Sequence, residues 1–158
     1  MGPAGTTLVV IKKGLLGKVT RHIPTMLDYR THIDKGSMFN TPPVFAVYGC
    51  MQTLRWIDKT GLSNIEKLNN QKAELLYNEI DSNDAFEGTT AKEDRSKMNI
   101  TFGFKDDTRN EDFLKACAEA NISGIKGHRS VGGFRASMYN ALGLDSVEAL
   151  VSVMKTFK

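Results

Sequence analysis

Three nitrogen-rich side chains crowd one short stretch of this chain. His128 and Arg129 stand before a Gly132-Gly133 pair, and Arg135 follows it. A guanidinium presents a planar fork of donors that meets a carboxylate or phosphate in two parallel charge-assisted hydrogen bonds. An imidazole adds a further donor. Glycine adopts backbone angles closed to other residues, so the pair allows a sharp reversal. A folded-back segment could then aim all three groups at one volume, where they would suit a small dianionic ligand. The plainer alternative is an exposed basic hairpin, or arginines paired with some of the chain's 18 acidic residues. The adjacent glycines favour a site.

The elements around these residues must hold them. Phe134, Ala136 and Met138 alternate with Arg135, Ser137 and Tyr139. That period of two predicts a strand with Arg135 and Tyr139 facing away from its apolar side. Ile122–Ile125 predicts a short strand leading into the segment. Further upstream, Met98, Ile100, Phe102 and Phe104 alternate with polar residues, the pattern of a half-buried strand, and Asp81–Glu87 reads as a loop.

Four helices are expected. Asn40-Thr41-Pro42-Pro43 is a helix-start signal. Val44, Val47, Tyr48, Met51, Leu54 and Ile57 then recur at helical spacing to about Lys59, and Gly61 ends that helix. Ser63-Asn64-Ile65-Glu66 matches a capping box. Ile65, Leu68, Leu75, Leu76 and Ile80 give the second helix an apolar face, opposite a solvated one of Lys67, Gln71, Glu74 and Asn78. Asn110 is expected to cap the third, with Glu111 and Asp112 in its first turn and Phe113, Leu114, Cys117 and Ala118 as its inner stripe. Asp145 and Glu148 repeat the capping signature before Val147, Leu150, Val151 and Met154. From Ser63 onward the order is helix, strand, helix, strand, strand, helix. This is an α+β layer, with helices on one face of a small, mostly antiparallel sheet.

The N-terminal part reads differently. Gly2-Pro3-Ala4-Gly5 is a turn, and Thr6–Ile11 predicts a short buried strand. Such a strand normally has neighbours on both sides, and few are in sight. Gly17–Pro43 lacks clear periodicity, and a loop of that length is usually functional. Its His22 and His32 are too far apart in sequence for a local ligand pair, and no metal site is expected. The division expected is 1–43 as a remnant of a larger domain, 44–62 as a long connecting helix, and 63–158 as the α+β domain.

Composition narrows the function classes. At 158 residues, 41% hydrophobic and 25% charged, the chain has enough material for one real core. A net charge of +3 is small for a nucleic-acid binder, and no run of Lys or Arg exceeds Lys12-Lys13. No apolar stretch is long enough for a bilayer, and no signal-peptide pattern is visible. Cys50 and Cys117 match no metal or redox spacing and read as buried free thiols, in keeping with a reducing cytoplasm.

Four motifs together resemble the phosphoserine aminotransferase family, pyridoxal-phosphate enzymes of the fold type I superfamily. They are Gly2-Pro3-Ala4-Gly5, Ser37-Met38-Phe39-Asn40-Thr41-Pro42-Pro43, Asn69-Asn70-Gln71-Lys72-Ala73-Glu74-Leu75-Leu76-Tyr77, and Gly127–Asn140. The resemblance covers essentially all 158 residues but only the C-terminal portion of a family member, somewhat under half its length. It implies that His128 and Arg129 hold the substrate phosphate and Arg135 the α-carboxylate. It further implies that Asn40 and Thr41 reach across a dimer interface to the phosphate of the partner subunit's pyridoxal phosphate.

The family's Schiff-base lysine lies just before the Gly-Pro-Ala-Gly turn, where this chain has Met1, and Lys12 and Lys13 are misplaced to replace it. A single Gly61 also stands where the family commonly has a pair. The expectation is therefore a portion of a longer enzyme: inactive alone, holding no cofactor firmly, and assembling as dimers or higher oligomers through uncovered sheet edges. Two alternatives stand beside it. One is a fold type I aminotransferase for another small amino acid. The other is a non-enzymatic anion- or nucleic-acid-binding module using Lys126, Arg129 and Arg135, against which stand the modest charge and the lack of interleaved aromatics.

Overall fold

Six of the eight phenylalanines are buried together, and they organise the C-terminal part of the molecule. The computed structural model describes residues 2–158; Met1, where the expectation about the missing lysine falls, lies outside the described residues. The chain divides into two units, Met1–Thr60 and Gly61–Lys158.

In the C-terminal unit the order is α3 (Leu62–Ser82), β1 (Phe86–Gly88), β2 (Asn99–Phe104), α4 (Asn110–Glu119), β3 (Phe134–Ser137) and α5 (Leu144–Met154). The strands form one antiparallel sheet in the order β1-β2-β3. Phe86 lies opposite Phe104, Phe102 opposite Phe134, and Ile100 opposite Ala136. With a side-chain period of two, these residues share one face. Against it pack Leu76 and Ile80 of α3, Phe113 and Cys117 of α4, and Val147, Leu150, Val151 and Met154 of α5. The opposite face carries Glu87, Asn99, Thr101, Arg135 and Ser137. The α+β layer is the one the alternation of apolar residues predicts.

Several local expectations are corrected. Residues 81–87 are not all loop, because α3 runs to Ser82 and β1 starts at Phe86. Three residues are too few to show a period, and pairing with β2 creates this strand. The Ser63–Glu66 capping box does not form. Gly61, at φ +84°, lets the chain re-enter a helix at Leu62, so Ser63 is already inside the first turn. Asn110 is likewise the first residue of α4 rather than its cap. A 3-10 turn over Asp107–Arg109 precedes it, capped by the Asp106 carboxylate, which accepts from the Thr108 N–H at 3.1 Å. Ile122–Ile125 is not a strand; a lone antiparallel bridge joins Lys126 to Phe134 instead. On α4, Ala116 rather than Ala118 turns inward.

The N-terminal unit contains α1 (Tyr29–Asp34) and α2 (Val44–Thr60), with 3-10 turns at Lys13–Leu15 and Thr25–Leu27. Thr6–Ile11 forms no strand and is neither paired nor buried, with Leu8 72% and Val10 90% exposed. A strand exists only through its partner's hydrogen bonds, and no strand runs beside this one among the described residues of its unit. The Gly17–Pro43 stretch is more ordered than its lack of periodicity implies. The Asp28 carboxylate caps α1 by accepting from the Arg30 N–H at 3.0 Å. Cys117 is buried as expected, whereas Cys50 is only half-buried. No helix of the described residues is long and apolar enough to cross a membrane.

Candidate anion-binding site

The hairpin carrying His128 and Arg129 is closed by its own backbone. The Val131 and Gly132 N–H groups both donate to the His128 carbonyl, at 2.9 and 2.8 Å, and Gly127 N–H donates to the Gly133 carbonyl at 2.9 Å. Gly132 and Gly133 have φ of +80° and +60°, so the left-handed turn expected of the pair is present. Gly127 is a third requirement that sequence reasoning missed. A Cβ there would overlap the carbonyl oxygens of Gly132 and Gly133.

At the tip, His128 Nδ1 accepts from the Ser130 N–H at 3.3 Å and lies 2.7 Å from the Ser130 hydroxyl. With Nδ1 accepting, the neutral ring carries its proton on Nε2, and Nε2–H is left as its available donor. His128, Arg129 and Ser130 are all exposed.

Arg135 rises from the polar face of β3, directly across from Thr101. Its backbone N–H donates to the Ile125 carbonyl at 2.7 Å, which ties the strand's outer edge to the chain entering the hairpin. Around it the hydroxyls are engaged: Thr89 donates to the Thr101 hydroxyl at 2.6 Å, and Ser137 to the Asn99 Oδ1 at 3.3 Å. Arg135 also borders a cavity of about 660 Å³ between the loop after α4, β3 and the start of α5; His128 and Arg129 are not on its wall. The structure thus joins the three residues through one hairpin and strand, without any hydrogen bond between their side chains among the described residues.

Neither Arg129 nor Arg135 meets an acid among the described residues. Other arginines here are committed. Arg30 pairs with Asp28 and Arg95 with Asp81, and Arg109 lies over the Phe104 and Phe157 rings. Of the two plainer accounts, pairing with one of the chain's own carboxylates does not occur among the described residues, while an exposed basic hairpin agrees with the exposure of His128, Arg129 and Arg135.

In the N-terminal unit, Asn40 and Thr41 lie just before α2, both exposed. They do not cap it, since the helix begins at Val44 and the Val47 N–H bonds to the Pro43 carbonyl at 3.0 Å. Asn40 Nδ2 makes one long contact, 3.7 Å, to Met26 Sδ. His32 is held structurally, with its Nε2 3.0 Å from the Met26 carbonyl and its ring edge-on to Phe39. No group of three or more His, Cys, Asp or Glu among the described residues could share a metal ion.

One polar cluster is not evident from the sequence. Lys72 and Asn69 sit on the inner face of α3, both buried, and bond to the segment following β3. The available signal is position, since 65, 69, 72 and 76 share one face of a helix whose remaining members there are apolar.

The family model of the class-V aminotransferases matches residues 1–150. A phosphoserine aminotransferase of Flavobacterium psychrophilum is 59% identical over 156 residues, which is 98% of this chain and 44% of that protein. One of Bacteroides fragilis is 53% identical over 161 residues, covering 100% of this chain and 45% of its own length. Among solved structures, phosphoserine aminotransferase from Bacillus circulans subsp. alkalophilus superposes with a TM-score of 0.84 at 40% identity, over 93% of this chain and 41% of that one. A pyridoxal-phosphate-bound phosphoserine aminotransferase from Trichomonas vaginalis gives 0.77 at 40% identity, over 87% and 40%. The chain spans less than half the length of these relatives.

Proposed function

The chain belongs to the class-V aminotransferase family, and from that premise we propose that it supplies the substrate-binding C-terminal part of a pyridoxal-phosphate-dependent phosphoserine aminotransferase. The complete enzyme would exchange an amino group between O-phospho-L-serine and 2-oxoglutarate, yielding 3-phosphohydroxypyruvate and L-glutamate in serine biosynthesis. The observation that carries this reading is the exposed set His128, Arg129 and Arg135, held by one hairpin and strand, with neither guanidinium paired to an acid among the described residues.

O-phosphoserine has a phosphate at one end and an α-carboxylate at the other. His128 Nε2–H and the Arg129 fork would hold the phosphate, and the Arg135 fork the carboxylate, each by charge-assisted hydrogen bonds. 2-Oxoglutarate is a dicarboxylate of similar span, so the same two subsites can take it in turn. Two-ended binding also orients the α-carbon for proton transfer.

Pyridoxal phosphate, when bound, supplies the electron sink that allows the α-carbon to give up its proton. The donor set at residues 40–41 fits the group's phosphate ester. Asn40 and Thr41 offer an exposed amide and hydroxyl that are not used in capping α2, and the reading assigns them to the cofactor of a partner subunit in a homodimer. Lys72 is excluded from covalent attachment, since all its N–H groups are engaged by carbonyls. The enzyme is placed in the cytoplasm, with small anionic metabolites as its ligands.

Titration of the purified protein with O-phosphoserine and with serine tests the assignment. Replacing His128 and Arg129 together by alanine should cost affinity for phosphoserine far more than for serine. Equal losses for the two would remove the phosphate subsite from this hairpin.

A further inference from the structure

We propose that Lys72 is a positioning residue that holds the Arg135-bearing strand in register, acting through the backbone just downstream of Arg135. The proposal rests on the reading of Arg135 as the ligand for the substrate carboxylate.

Lys72 Nζ donates to three backbone carbonyls, those of Met138 at 3.1 Å, Tyr139 at 3.0 Å and Leu142 at 3.1 Å. An ammonium has three N–H donors and no acceptor, so these bonds use all of it. Its side chain is fully buried, and among the described residues no carboxylate is paired with it. A buried cation without a counter-ion is a costly thing to keep, and an apolar side chain of the same length would fill the space more cheaply. An apolar side chain could not, however, draw three carbonyls of an irregular segment to one point.

That segment is where β3 most needs support. The strand has four residues and lies at the sheet's edge. Its hydrogen bonds to β2 run out at Met138, whose N–H donates to the Met98 carbonyl at 2.8 Å. From there the chain turns, with the Leu142 N–H on the Tyr139 carbonyl at 2.9 Å. Asn69, one helical turn before Lys72, takes hold of the same turn by donating to Asn140 Oδ1 at 2.8 Å. A slip of one residue in a strand exchanges its two faces. Here it would turn Arg135 into the phenylalanine core and Phe134 outward. Two polar side chains of α3 fixing residues 138–142 oppose that slip from the downstream end, as the glycine hairpin does from the upstream end.

The test compares wild-type protein with Lys72→Met, using Arg135→Ala as the reference. Calorimetric titration uses two probes, O-phosphoserine and phosphoethanolamine, the second lacking the carboxylate. Lys72→Met should weaken O-phosphoserine roughly tenfold or more, the scale of a misplaced binding group, and leave phosphoethanolamine nearly unchanged. Hydrogen exchange at the Ala136 and Met138 amides, which face the neighbouring strand, should accelerate in the same variant. Equal weakening of both probes, or unchanged exchange, overturns the proposal. If Arg135→Ala does not weaken O-phosphoserine, the carboxylate reading fails by itself, and the exchange rates alone decide whether Lys72 holds the strand. Should Lys72→Met not fold, Asn140→Ala removes the Asn69 contact and leaves the ammonium in place. It should move both readouts in the same direction by less, and no change in either would count against the proposal.

Discussion

Gly133 lies against Phe102 so closely that a Cβ on it would stand 2.8 Å from the Phe102 carbonyl oxygen, backbone of the central strand. Its φ of +60° is also in the left-handed region. An alanine there meets both penalties, a conformational one of about 1–2 kcal/mol and a clash with an atom that cannot move without bending β2. Gly133→Ala should therefore destabilise the C-terminal unit and displace the hairpin, while Gly132→Ala meets only the first penalty, having open space around its Cβ. Urea unfolding of the two variants checks this, and equal losses would contradict it.

Phe113 touches five other phenylalanine rings, with centroids from 4.7 Å (Phe134) to 6.3 Å (Phe102). With Cys117 beside it, it brings α4 onto the sheet. Phe113→Ala should cost about 3–5 kcal/mol, the range for emptying a fully buried aromatic site, and Phe113→Leu distinctly less. Chemical denaturation gives both values. A loss below about 1 kcal/mol for the alanine variant would mean that the core collapses around the gap far better than interiors of this density do.

The elements legible in the sequence are those whose pattern is internal to them. Residues 98–104 and 134–139 alternate because each packs one face on the phenylalanine core. Residues 44–60 repeat at helical spacing and form a helix, although Val44, Val47, Tyr48 and Leu54 of that stripe are exposed and Ala46 is the residue of α2 that is buried. Thr6–Ile11 shows the limit of that logic. A β-branched run records what a segment favours, while pairing depends on a neighbour, and none is beside it among the described residues of its unit. β1 is the opposite case, a strand with no pattern of its own that β2 creates through Phe104 and Phe86. The helix starts expected at Ser63 and Asn110 are displaced because competing devices, a positive-φ glycine and an Asp106-capped 3-10 turn, come first along the chain. At the candidate site, residue types and order point to His128, Arg129 and Arg135. Gly127 and Lys72 are invisible to that logic because what they do is meet backbone, which carries no sequence signature, and Ser130 because its partner is the neighbouring His128 ring.

The two thiols should behave differently. Burial pushes the Cys117 thiol up to about 11, and it packs in the core, whereas Cys50 is half-buried in the other unit. The thiolate is the reactive form. A disulfide reagent at mildly alkaline pH should label at most one thiol of the folded protein, identified as Cys50 by peptide mapping, and both after unfolding. Labelling of Cys117 in the folded state would show that α4 opens far more readily than its packing implies.

Acid should remove one identifiable support of the C-terminal unit. Arg95 grips Asp81 with both ends of its fork, at 2.7 and 2.8 Å, and Lys92 adds a contact at 3.2 Å. The Arg95 hydrogen bonds hold the Asp81 carboxyl at about 2, below its usual 3.8. Between those values the unfolded chain binds the proton and the folded one does not, so stability rises with pH across that window. The contribution is complete above about pH 4 and disappears as pH falls through about 2. Solvent reaches a third of Asp81, so its size is about 1 kcal/mol or less. Asp81→Asn should therefore lower stability modestly at neutral pH, and the gap to the wild type should close towards pH 2. Denaturation series at several pH values measure that gap. A gap that stays constant down to pH 2 would mean that the ion pair is not its source, and that the loss lies in Arg95, whose guanidinium also rests 4.4 Å above the Tyr77 ring.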